Sequence, residues 1–97
     1  MINLFRNSNG YSANNDNYNF ETLQKARKGL VGEIQAIIEY DEHIHSTNDT
    51  IAIKTWQSIK NEELKHVGEL LALANFLDST QIAFVEDGIK EFNYRLS

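Results

Sequence analysis

The sequence predicts an all-α protein: a long antiparallel helical hairpin followed by a short third helix. Three observations carry that expectation. Apolar residues recur at three- and four-residue spacing from Leu23 to Ile44, again from Ala52 to Leu77, and once more from Ile82 to Phe92. No segment alternates apolar and polar residues as a half-buried strand would. Proline is absent, and the one strong breaker in the middle of the chain is Ser46-Thr47-Asn48-Asp49.

The chain begins differently. Seven of the first nineteen residues are Asn, interleaved with Ser8, Gly10 and Ser12. Such a composition buries too little apolar surface to offset the entropy of ordering, so residues 1–18 are expected to form a flexible tail. Ile2, Leu4 and Phe5 make a small apolar knot at its tip. The helical domain is then 19–97. Asn19 is placed to cap the first helix, with Glu21 in the first turn where the helix dipole favours an acid. That helix runs to about His45. Asn48 or Asp49 caps the second, which continues to about Asp78. Ser79 or Thr80 caps the third, ending near Tyr94 and weakened by Gly88.

Bulk properties narrow the partners. The 97 residues fit one domain near the low end of what can bury its own core. Without cysteine there is neither a disulfide framework nor a thiolate metal site, which suits a reducing, cytoplasmic setting. No apolar run is long enough for a membrane, and the N-terminus lacks the blocks of a secretion signal. A net charge of −5 argues against nucleic acid as partner.

A heptad laid on the first helix puts Leu23, Leu30, Ile37 and Ile44 in one row and Ala26, Glu33 and Tyr40 in the other. On the second helix the rows are Trp56, Glu63, Leu70 and Leu77, and Ala52, Ile59, His66 and Leu73. Both stripes are interrupted by polar residues where Leu or Ile would be expected. Glu63 and His66 stand at i and i+3, on one helix face and roughly 5–6 Å apart at Cβ. Counted from the middle of the loop, Glu33 and Glu63 face each other to within about one residue, or about 1.5 Å of helix rise. Two carboxylates and an imidazole therefore converge in the seam.

Burying one unpaired carboxylate costs several kcal/mol, and two neighbours oppose each other's ionisation. Arg27, Lys54, Lys60 and Lys65 all fall outside both rows. A divalent cation would resolve the conflict, because carboxylates and a neutral imidazole bind it directly. Di-iron sites in helical bundles take a Glu from each of two helices and a Glu-x-x-His pair from each of two others. This chain holds half that set. Two copies related by a two-fold axis would supply four carboxylates and two histidines to two metal ions and pair into a four-helix bundle.

The pattern Glu33-x6-Tyr40 with Glu63-x-x-His66 resembles the ferritin-like superfamily. Within it the chain most resembles the encapsulated ferritins, which are short half-ferritins with a two-helix core. The likeness runs from about Leu30 to Asp78 and includes Tyr40-Asp41 and the Glu62-Glu63-x-x-His66 run. It implies a ferroxidase that oxidises Fe(II) to Fe(III) with oxygen or peroxide, for iron storage or detoxification. Glu33, Glu63 and His66 would hold two Fe ions per subunit pair, with Tyr40 beside them as a further catalytic residue. It also implies a homo-oligomeric ring of dimers, a decamer among its forms, carried as cargo inside an encapsulin shell. Two departures stand out. Gly32 and Gln35 stand where the family carries further acids that form an outer metal-entry site, so entry is either weaker or taken over by Glu39 and Glu42 near the loop. No shell-targeting peptide is recognisable after Arg95, which leaves the Ile2-Leu4-Phe5 tip as the candidate.

Other readings compete. A rubrerythrin-like peroxidase would use the same ligands, but that family usually carries a four-cysteine iron site. A non-enzymatic oligomerisation module would use the buried polar residues only to set register. Tyr40 reads equally well as a core tyrosine. Trp56 reads as packing, His43 and His45 as solvated residues near the hairpin tip, Glu69 as an exposed face, and Glu62 as the same, with lining of the metal route as its lesser reading.

Overall fold

The computed structural model describes residues 16–97, with side chains from Asn19 onward. The expected tail and its Ile2-Leu4-Phe5 tip lie outside the described residues, apart from the backbone of 16–18. The described residues form three helices and no strand: α1 Asp16–His45, α2 Thr50–Leu77 and α3 Ser79–Leu96. No helix among them is long and apolar enough to cross a membrane.

Helix ends follow local chemistry, with two corrections. α1 starts at Asp16, three residues before the expected cap at Asn19. No Gly or Pro separates the two positions, and extending an existing helix through Asn residues costs only a fraction of a kcal/mol each. Asp49 caps α2 as expected, its carboxylate accepting from the amides of Ile51 and Ala52. The cap of α3 is Asp78, rather than Ser79 or Thr80. Its backbone is extended, and its side chain accepts from the amides of Thr80 and Gln81. Its own N–H meanwhile donates to the Ala74 carbonyl, closing α2. One residue thus ends one helix and starts the next.

α1 and α2 run antiparallel. Partners move down α2 as they move up α1: Gly29 lies against Leu70, Asp41 pairs with Lys60 at 2.6 Å, and His43 rests on Trp56. Gly29 is a point of close approach, since a Cβ there would stand 3.2 Å from Leu70 Cδ1. The buried apolar core is small. Leu23, Ala26 and Ala74 form it, with Leu77 packed alongside.

α3 is tied to the hairpin by a polar network. Arg27 Nη2 donates to Asp78 Oδ2 at 3.1 Å and to Gln81 Oε1 at 2.7 Å. Its Nε also donates to Gln81 Oε1, at 2.9 Å. Gln81 Nε2 passes the chain on to Oδ1 of the buried Asn75, at 2.8 Å. A planar guanidinium suits this fork better than an ammonium would. Beyond its first turns α3 keeps an apolar row, Ile89, Phe92 and Leu96, exposed to solvent.

Replacing Arg27 by Met should therefore cost about 1 kcal/mol, because the ion pair is partly solvated. Hydrogen exchange is expected to speed up in α3 while α1 and α2 stay protected. An equal loss of protection in all three helices would show that this network does not hold α3 separately.

Candidate metal centre

Glu33 on α1 and Glu63 and His66 on α2 come together as the sequence pattern requires. One ligand atom from each lies within 4.8 Å of the others, the one such group found among the described residues. His66 Nδ1 stands 3.6 Å from Glu33 Oε2 and 3.9 Å from Glu63 Oε2. Both separations exceed a good hydrogen bond, so the three side chains converge without satisfying one another.

Two features differ from the expectation. The register set by Gly29–Leu70 and His43–Trp56 puts Glu33 opposite His66, whereas the count from the loop put it opposite Glu63. That count assumed both helices leave the loop at one height. Side-chain reach absorbs the offset, and the cluster forms all the same. The cluster also lies on the flank of the seam. The side chains of Glu33 and Glu63 are 23% and 20% exposed, and that of His66 is 46% exposed. Rows drawn on a heptad cannot distinguish the centre of a two-helix contact from its edge.

The electrostatics are one-sided. Glu33 Oε2 is buried and has no hydrogen-bond partner. Three described cations pair with other acids: Arg27 with Asp78, Lys60 with Asp41, and Lys65 with Glu62. Among the described residues no Lys or Arg forms an ion pair with Glu33 or Glu63. The donor set fits a hard divalent ion such as iron or manganese, with carboxylate oxygens and one imidazole nitrogen available.

Tyr40 is half-buried and stands outside this group, two turns nearer the loop, or about 10 Å along the axis. Its ring meets His43 edge-on at 6.3 Å, and His43 leans on Trp56 at 5.0 Å. His43 is thus a packing residue as well as an exposed one. Glu39 accepts from Gln35 on an exposed face, and Glu42 is exposed. Neither borders the cluster's cavity.

That cavity, about 290 Å³, is lined by Glu33, His66, Glu69 and Leu70. Glu69 is exposed, as its place off the rows implies, but the sequence reading did not put it beside the cluster. The signal was present, since His66-x-x-Glu69 repeats the interval of Glu63-x-x-His66, but Glu69 sits off the heptad rows. A cluster on the flank draws in just such positions. Comparison with protein families, curated proteins and solved structures found no match to this chain. The site is therefore read from its own chemistry.

A crowded pair of carboxylates should destabilise the metal-free chain. Glu33→Gln is expected to raise metal-free stability by about 1 kcal/mol, measured by urea unfolding in chelator. Added Co(II) at a hundred times its Kd should stabilise the wild type by about 2.7 kcal/mol and the variant far less. The sign of the substitution thus reverses with metal. A variant less stable in both conditions would contradict this account.

Proposed function

We propose that the chain is a ferroxidase, working as a homo-oligomer in which two hairpins pair into a ferritin-like four-helix bundle and share one di-iron centre. The observation that carries the reading is the Glu33–Glu63–His66 convergence with an orphaned, buried Glu33 oxygen. Three ligands cannot enclose two metal ions, and di-iron bundles draw on twice this set. The half-exposed His66 and the thin core both favour a second copy over the cluster's open flank. A two-fold pairing brings the same residues from each side and excludes water from both.

In this reading Glu33, Glu63 and His66 hold Fe(II) as substrate. His66 offers a neutral ring nitrogen, and the two carboxylates offset the ionic charge. That charge rises by one on each ion as Fe(II) becomes Fe(III), so the acids bind product more tightly than substrate and favour oxidation. Two Fe(II) give up two electrons. With two protons these convert dioxygen to hydrogen peroxide, or hydrogen peroxide to two molecules of water. Tyr40 takes no part in holding the metal.

Glu63→Ala provides the test. Oxygen-driven Fe(II) oxidation, followed by absorbance, should fall to the protein-free rate while circular dichroism stays helical. Anomalous diffraction from Fe(II)-soaked wild-type crystals should place metal between Glu63 side chains on a two-fold axis. A variant that oxidises iron normally but assembles differently would make these residues register devices, and the ferroxidase reading would fall.

A further inference from the structure

Glu69 opens onto the metal cluster without belonging to it. It shares the walls of the cavity with Glu33 and His66, so one open cleft runs from an exposed acid to the buried Glu33 oxygen that has no partner. Positions 63, 66 and 69 step along α2 at three-residue intervals, so three groups able to ligate metal follow one another along that side of the helix. No ion pair among the described residues involves Glu69, whereas Glu62, one turn from His66 in the other direction, is bound by Lys65 at 3.1 Å.

Charge balance separates Glu69 from the resident ligands. In a pair of copies, the carboxylates of Glu33 and Glu63 already match the charge of two divalent ions. Glu69 is a surplus acid, and an exposed one, so it stays hydrated and costs little when no metal is present. Carboxylates of that kind bind hydrated cations weakly and raise their local concentration at a cavity mouth.

We propose that Glu69 is the loading ligand of this centre, taking a hydrated divalent cation from solvent and passing it across the cavity to His66 and Glu33. This rests on the metal-centre reading above. The ion exchanges water for protein ligands in stages, first at the open Glu69 and then at the less hydrated Glu33. Losing its shell in one step would be slower.

Stopped-flow binding of Co(II) to the full chain, read from its visible absorption, tests the inference without reference to turnover. Glu69→Gln should slow loading by about 3- to 10-fold, leave the final stoichiometry unchanged, and flatten the dependence of the rate on ionic strength. Glu62→Gln removes the same charge from a nearby exposed position already neutralised by Lys65, and should load like the wild type. An unchanged rate in Glu69→Gln, or equal slowing in Glu62→Gln, overturns the loading role. A lost equivalent of Co(II) in Glu69→Gln also overturns it, by making Glu69 a resident ligand. If the wild type takes up no Co(II), or Glu63→Gln takes up a full complement, the metal-centre reading fails and this inference with it.

Discussion

The carboxylates of Glu33 and Glu63, gathered with His66 so that their ligand atoms lie within 4.8 Å, impose the constraint that organises this molecule. Cations are not scarce in the chain. Those that form ion pairs among the described residues do so with other acids: Asp78 has Arg27, Asp41 has Lys60, and Glu62 has Lys65. The two acids held least exposed among these contacts are the ones left without such a partner. Two acids held largely out of water side by side, with no described Lys or Arg paired to either, suit a positive charge from outside. The alternative, a polar device for setting register, needs only one such residue and gains nothing from two mutually repelling ones.

The rest of the structure makes that cluster rigid on one side and open on the other. Gly29 lets α1 approach Leu70, one turn from Glu33, and the Asp41–Lys60 pair fixes the same register nearer the loop. Below the cluster, Arg27, Gln81, Asn75 and Asp78 lock the start of α3 against both helices of the hairpin. Ligands on two long helices, bracketed by contacts on each side, are held more closely than ligands on loops could be. Yet Leu23, Ala26, Ala74 and Ile82 are the only buried apolar side chains among the described residues, while Ile34, Ile38, Leu64 and Leu73 remain exposed. So thin a core, in a chain this short, suits a subunit better than a finished monomer.

Most of the fold was legible because periodicity and breakers are local signals. The Ser46–Asp49 interruption, the all-helical class and the rows of α1 follow from spacing; on α2 the row Ala52, Ile59, His66 and Leu73 is exposed at its last three positions, and Ala74 lies inside instead. The misplaced ends are instructive. Three consecutive residues, Asp78, Ser79 and Thr80, are all competent caps, and the extended backbone at Asp78 decides between them. Backbone torsion is not written in residue type. The convergence of Glu33, Glu63 and His66 was legible, because Glu-x-x-His and an opposing Glu break apolar rows that would otherwise be continuous. Glu69 was legible as exposed but not as a wall of the cavity, because a heptad assigns each position to inside or outside and has no category for an edge. The offset of Glu33 toward His66 was hidden for a related reason: helix heights at a loop depend on how the loop closes, which four polar residues do not specify.

On the proposed function, metal uptake and pairing would be one equilibrium. Two copies without metal would bring four carboxylates together, which Coulomb repulsion opposes. With divalent ions in place the same approach would become favourable, since each ion would gain ligands from the partner and lose contact with water. Binding free energy for the ion is thus also association free energy for the subunits, and each must strengthen the other by the same factor. Exposure of His66 in the single chain is what would allow such a coupling. A cluster fully enclosed within one hairpin would bind its ion without sensing a partner. One left half-open at the flank ties the ion to assembly.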